Sequence, residues 1–244
     1  MKHLDSDEQA LNLIALAEAA GVPLSVGQSA ALVGYLIRVL EMNRRVNLTR
    51  IVDPTAALRL HILDSLIAFP EVSQGERGPA LDLGSGAGFP GVPLAVATGR
   101  SFILLDSVGK KADAVRQALR ESGISGALVT VAAARAEEYA VHHRQEFTVV
   151  TARAVAPLAA LVELASPLLC DGGLLVALKG RPESTEREAG SQSARQVGMV
   201  SESAREIALP AGEESRTIMT YRKVGKPLLE LPRRTGLAQN NPLA

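Results

Sequence analysis

The 244-residue chain holds one cysteine, Cys170, and no tryptophan. A single thiol excludes a disulfide framework and a zinc site built from cysteines, and no metal is expected. Aromatic residues are scarce too, four phenylalanines and three tyrosines, which argues against a nucleic-acid surface made of base-stacking platforms. Neither sign of charge is in excess. With 26 basic and 26 acidic residues, bulk binding to nucleic acid as a polycation is excluded, and any such contact must use a local patch. No apolar run reaches the roughly 18 residues of a membrane span. The opening MKHLDSDEQA carries acids and lacks the apolar core of a signal peptide. What is present is a globular composition, 47% apolar and 21% charged. The expectation is a cytoplasmic protein without membrane contact.

Residues 1–77 read as a helical N-terminal extension. Leu11, Ile14, Leu16 and Ala17 form a stripe that ends at Gly21-Val22-Pro23. Ser25 and Gln28 have the spacing of a capping box, opening a second helix with Leu32, Leu36, Val39 and Leu40 inward. Asp53-Pro54 predicts a cap and a first-turn proline, with Leu58, Ile62, Leu66 and Phe69 inward on a third helix.

From residue 78 to 225 the period changes. Strands are expected at Ala80 to Leu83, Phe102 to Asp106, Ala127 to Val131, Phe147 to Thr151 and Leu174 to Leu178. Helices starting at Pro90, near Val108 and at Pro157 separate them. Strands apolar on both faces and alternating with helices predict an α/β fold with a parallel sheet covered on both sides. Residues 181–200 are polar and read as a mobile surface segment. Ser203 to Leu209 and Thr217 to Val224 read as a closing antiparallel pair, and residues 226–244 as an extended tail.

The most informative segment is Asp82-Leu83-Gly84-Ser85-Gly86-Ala87-Gly88-Phe89-Pro90-Gly91. A glycine loop between a strand and a helix lets backbone approach a ligand and aims helix N–H groups at it. A dinucleotide fingerprint would need glycine at position 89, where Phe89 stands. The pattern is instead acid-x-Gly-x-Gly-x-Gly, and Asp82 could anchor a cationic amino group. Asp106 ends the next strand, where a carboxylate accepts both hydroxyls of a ribose; it could also simply cap the helix near Val108. S-adenosylmethionine combines these features, a nucleoside, an amino acid and a sulfonium. After the third strand, the Ala136 backbone and the Glu137 carboxylate could flank an adenine ring, or merely start an acidic helix. After the fourth, Arg153 could meet an anion or a base, or be a solvated arginine.

These residues resemble the RsmG (GidB) family of guanine-N7 methyltransferases of small-subunit ribosomal RNA. The resemblance spans Gln28 to Leu243. It rests on Asn43 with Val46-Asn47-Leu48-Thr49, on His61-Ile62-Leu63-Asp64-Ser65, and on the loop from Asp82 to Gly91. It continues through Leu104 to Ser107 with Gly109-Lys110-Lys111, Arg135 to Glu138, Ala152-Arg153-Ala154 and Ala177 to Gly180. The resemblance implies a monomeric, Rossmann-like class I methyltransferase with a seven-stranded, mostly parallel sheet behind a helical cap. It also implies S-adenosyl-L-methionine as cofactor and 16S ribosomal RNA, or the small subunit, as partner. The family's cofactor positions fall on Gly84, Phe89, Ala136, Glu137 and Arg153; the loop pattern adds Gly86, Gly88 and Asp106. The chain departs from its relatives at Ala112 and Asp113, which thin the basic face of that helix, and over residues 184–196.

Guanine N7 has an in-plane lone pair and no proton, so in-line methyl transfer to it needs no general base. Positioning alone can supply roughly 7–11 kcal/mol. The Asn/Asp-Pro-Pro-aromatic turn of amine methylation is missing after the fourth strand. Cys170, placed at the end of an apolar helix, is not positioned as the nucleophile of pyrimidine methylation. His61 and Asp64 are spaced to meet on one helix face, while His142-His143 lacks further ligands. Three basic groups are candidates for phosphate contact: Arg44, Arg45 and Arg50; Lys110, Lys111, Arg116 and Arg120; and Arg222, Lys223, Lys226, Arg233 and Arg234. Lys179 is a further RNA candidate. Two other readings stay open, a methyltransferase acting on a non-RNA substrate and a non-catalytic RNA-binding module that senses S-adenosylmethionine.

Overall fold

Two helices of the N-terminal part start where a short polar side chain accepts one of the first free amides. The computed structural model describes residues 6–244; residues 1–5, which begin the segment read as lacking a signal peptide, lie outside the described residues. Helix α1 (Ser6–Ala19) buries Ala10, Leu13 and Ala17. Leu11, expected inward, is 63% exposed. Small residues on the buried row let α1 approach its neighbour closely enough for Ser29 Oγ to donate to the Ala10 carbonyl at 2.7 Å. Ser29 lies on α2 (Val26–Asn43), which the expected capping box of Ser25 and Gln28 opens. Leu32, Leu36 and Val39 are buried on it, each contributing roughly 1.5–3 kcal/mol by leaving water.

Asp53 Oδ1 accepts the Ala56 amide at 2.8 Å and starts α3 (Pro54–Ala57). The chain continues without a break through a π-helical stretch, Leu58–Leu63, into α4 (Asp64–Leu66). The wider turn brings His61, Ile62, Leu63 and Asp64 all into buried positions, an arrangement often found beside functional sites. Phe69 is only half-buried and opens α5 (Phe69–Gln74).

The remainder alternates strand and helix. In order come β1 (Ala80–Leu83), α6 (Gly91–Thr98), β2 (Phe102–Asp106), α7 (Gly109–Ser122), β3 (Val129–Ala133), α8 (Ala136–His142) and β4 (Phe147–Arg153). There follow α9 (Leu158–Ala165), β5 (Leu169–Lys179), α10 (Ser184–Gln196), β6 (Met199–Ala208), β7 (Ser215–Lys223) and α11 (Leu237–Asn240). One seven-stranded sheet results, in the order β3-β2-β1-β4-β5-β7-β6. The first five strands are parallel and the β5–β7 and β7–β6 pairs antiparallel. Along β5, Leu174, Val176 and Leu178 join the core shared with the N-terminal helices, while Leu175 and Ala177 join the one under α9 and α10. Period-two alternation thus builds a core on each face. Strand order turns back between β1 and β4, leaving a crevice at their carboxyl ends. Among the described residues, no helix is long and apolar enough to cross a membrane.

Other stretches also differ from expectation. β3 begins at Val129, because the Ser125 carbonyl accepts the Leu128 and Val129 amides and holds that stretch in a turn. Cys170 lies on β5, not at a helix end. The segment expected to be mobile is α10, whose buried face is Gly190, Ser193 and Ala194; a β-carbon on Gly190 would stand 2.7 Å from Tyr221 Oη and 2.8 Å from Leu158 Cβ. The tail is not simply extended. Leu231 and Ala238 are buried, Arg144 donates to the Leu231 carbonyl at 2.5 Å, and Gln196 donates to the Leu243 carbonyl at 2.7 Å.

Candidate active site

The loop after β1 runs in left-handed backbone at Gly84 (φ +70°), Gly86 (φ +56°) and Gly88 (φ +84°), conformations in which other residues are strained. The loop glycines differ in what surrounds them. A β-carbon on Gly84 would lie 2.6 Å from Val155 Cγ2. One on Gly88 would run into the Tyr35 hydroxyl, and one on Gly91 into Leu104 and Asp82. A β-carbon on Gly86 would meet nothing within 4 Å. Gly84, Gly88 and Gly91 therefore permit close packing, while Gly86 alone borders open space. Gly88, expected at the cofactor, faces α2 instead, where Tyr35 Oη donates to the Ala87 carbonyl at 2.8 Å.

Both acids brace this loop. Asp82 is fully buried; its Oδ1 accepts from Thr151 Oγ1 at 2.8 Å and its Oδ2 from the Gly91 amide at 2.9 Å. Expected to anchor a ligand's amino group, it is bonded to the protein through both oxygens and has no exposed surface to offer a ligand. Burial pushes its pKa up to about 7, with the Thr151 and Gly91 hydrogen bonds opposing. Asp106 Oδ2 accepts the Gly86 amide at 2.9 Å and Oδ1 the Val108 amide at 2.8 Å. Asp106 thus supports the turn into α7, where it bonds the amide that precedes the helix, and it is tied to the open glycine as well. A carboxylate has about four acceptor positions, so two remain for a ligand.

The raised pKa of Asp82 predicts a pH effect. The folded state keeps a proton that the unfolded chain releases near the ordinary 3.8, so Asp82 costs stability progressively from about pH 4 to 7. His61 has the opposite sign: burial and Arg153 lower its pKa from 6.5 to about 4, so folding gains as pH rises through that interval. Asparagine at 82 can still accept from Gly91 and donate to Thr151. In Asp82→Asn, urea midpoints measured from pH 4 to 7 should therefore rise more steeply than in the parent. Parallel curves would remove the buried proton from the account.

At the sheet's carboxyl edge, Gly84, Leu105, Ala134, Ala136, Glu137 and Gln239 line a cleft. Glu137 is buried at the start of α8, and its Oε1 accepts the Gly236 amide at 2.6 Å. Arg153 leaves β4 just before Ala154, a non-glycine residue in left-handed backbone (φ +55°), strain of the kind stored near functional sites. The Arg153 side chain turns to the N-terminal helices: Nη1 donates to Asp64 Oδ2 at 2.9 Å and to the Leu60 carbonyl at 3.3 Å. Its guanidinium lies 5.8 Å from the Phe89 ring centroid, and the His61 ring stacks parallel to Phe89 at 4.8 Å. Asp64 Oδ1 also accepts from Arg216 Nε at 2.6 Å. The expected meeting of His61 with Asp64 is thus replaced: His61 Nε2 bonds Thr49 Oγ1 at 2.7 Å, and its buried Nδ1 has no partner among the described residues.

The RNA candidates divide. Arg44, Lys110 and Arg234 are exposed. Lys179 Nζ sits 2.6 Å from Glu186 Oε1, and Arg233 makes two bonds, 2.7 and 2.6 Å, to the buried carboxylate of Glu163. Lys223 is buried, with Nζ donating to Ser166 Oγ at 2.6 Å. These three turn inward and leave the basic groups thinner than the sequence implies. His143 pairs with Glu146 at 2.8 Å, and among the described residues no cluster of three or more His, Cys, Asp or Glu could hold a metal ion. Tyr35, Arg216, Gly236 and Gln239 carry no local sequence signal, because their partners lie on distant elements.

Residues 28–218 match the model of the GidB family, described as rRNA small subunit methyltransferase G. The ribosomal RNA small subunit methyltransferase G of Chloroflexus aggregans is 36% identical over 95% of this chain and 97% of its own length. That of Deinococcus radiodurans is 36% identical over 82% of this chain and 80% of its own. Among solved structures, a SAM-dependent O-methyltransferase of Thermotoga maritima superposes with a TM-score of 0.51 at 16% identity, covering 77% of this chain and 72% of that one. A protein of Corynebacterium glutamicum does so with a TM-score of 0.52 at 17% identity, over 89% and 98%. These two likenesses concern the fold, that of the class I methyltransferases.

Proposed function

The chain belongs to the GidB family, rRNA small subunit methyltransferase G, and on that footing we propose that it methylates N7 of one guanine in a loop of 16S ribosomal RNA. S-adenosylmethionine, when bound, supplies a methyl group activated on a sulfonium. The observation that supports this reading best is the open position at Gly86, whose amide is held by the Asp106 carboxylate. Asp106 accepts ribose hydroxyls with its remaining lone pairs. Gly86 admits the ligand to the backbone, Gly84 lines the cleft, and the Ala136 backbone and Glu137 flank the nucleobase. Phe89 and Arg153 act as positioning residues: Asp64 holds the guanidinium beside the Phe89 ring, so Arg153 fixes the far end of the loop against the N-terminal helices.

Guanine N7 carries no proton, so no side chain has to remove one. This agrees with a site whose two loop carboxylates are both bonded to the protein's own amides. Alignment is then the chain's main contribution, worth roughly 7–11 kcal/mol for well-placed reactants. Arg44, Lys110 and Arg234 remain as phosphate contacts that orient the RNA.

The test is to incubate the protein with labelled S-adenosylmethionine and small ribosomal subunits lacking the modification, then to map N7-methylguanine by strand scission. Label in the RNA with scission at one guanine is expected. Label without scission would move the acceptor atom, and no label would overturn the RNA substrate.

A further inference from the structure

The tail lies beyond residues 28–218, the portion matched by the family model, yet it reaches the cleft at the sheet's carboxyl edge. Its course is fixed from several sides. Arg233 grips the buried Glu163 of α9 through two bonds, Leu231 and Ala238 are buried, and Gly236 (φ +83°) turns the chain into α11. Two consequences follow for the cleft. The Gly236 amide takes Glu137 Oε1 at 2.6 Å, leaving Oε2, 4.0 Å from Arg135 Nε, as the oxygen open to a ligand. Gln239, an exposed residue of α11, forms part of the cleft wall alongside Ala136 and Glu137.

We propose that the tail completes the nucleobase pocket, with Gln239 as a specificity residue for adenine and Gly236 as the positioning residue for Glu137. A side-chain amide presents a donor beside an acceptor, the pattern complementary to an adenine edge, where an exocyclic amine adjoins a ring nitrogen. On the edge formed by the exocyclic group and N7, a 6-oxo purine presents two acceptors, which a side-chain amide cannot match in either orientation. This rests on the reading that places the cofactor's nucleoside in this cleft.

The experiment measures affinities of the full-length protein by calorimetry for S-adenosylhomocysteine and for S-inosylhomocysteine, its 6-oxo counterpart. Gln239→Ala should bind S-adenosylhomocysteine about fivefold more weakly, as one net hydrogen bond implies, and lose most of its preference over the 6-oxo compound. Its melting temperature should not move, because the side chain is exposed. Gly236→Ala, strained at a positive φ, should weaken the same ligand by a similar factor. Asp106→Ala, measured in parallel, separates the two layers of the argument. Weakened binding in Asp106→Ala with an unchanged preference in Gln239→Ala overturns the role of the tail alone. Unchanged binding in all three variants overturns the placement of the cofactor.

Discussion

Asp64→Ala should lower the melting temperature by roughly 6–20 °C. Asp64 is buried between two guanidinium groups, 2.9 Å from Arg153 and 2.6 Å from Arg216. Removing the shared carboxylate leaves two cations enclosed without the anion that faces both, and breaking a buried pair in this way costs about 3–5 kcal/mol. For a chain of this length each kcal/mol corresponds to about 2–4 °C. The loss should extend to the loop, because Arg153 beside Phe89 is held there by Asp64. Thermal unfolding followed by circular dichroism measures it. A shift within about 2 °C of the parent would mean that solvent already reaches these charges and that the N-terminal helices are not fastened to β4 through them.

Asp106→Ala should weaken S-adenosylmethionine binding roughly 100-fold. Its carboxylate accepts two backbone amides, Gly86 and Val108, and hydrogen bonds to a charged acceptor contribute about 1.5–3 kcal/mol each. The substitution slackens the loop at the one glycine that borders open space and removes the acceptors for the ribose hydroxyls. At about 1.4 kcal/mol per tenfold, these losses together reach two orders of magnitude. Asp106→Asn keeps one oxygen and should fall between. Calorimetry decides; equal affinity in Asp106→Ala and the parent would remove this residue from the site.

Where the chain's chemistry is local, the sequence was legible. The Ser25 capping box, the Asp53 cap with its proline, and the strand, glycine-loop and helix succession from Ala80 to Thr98 all depend on neighbours a few residues away. Helix α10 was hidden because its buried face is made of Gly190, Ser193 and Ala194, small residues that leave no apolar stripe. The inward turn of Arg233, Lys179 and Lys223 was hidden for another reason. Their partners, Glu163, Glu186 and Ser166, come from other elements, so charge counted along the chain overstated the basic surface. Likewise the motif pointed to Gly84, Gly86 and Gly88 alike, and only packing against Val155 and Tyr35 separates the two structural glycines from the open one.

The most direct measurement is a crystal structure of the protein grown with S-adenosylhomocysteine. Density for the ligand should lie against the Gly86 backbone, with the ribose hydroxyls on the Asp106 carboxylate and the base between Ala136, Glu137 and the tail. A ligand bound elsewhere, or a loop whose own side chains fill the space beside Gly86, would contradict the account.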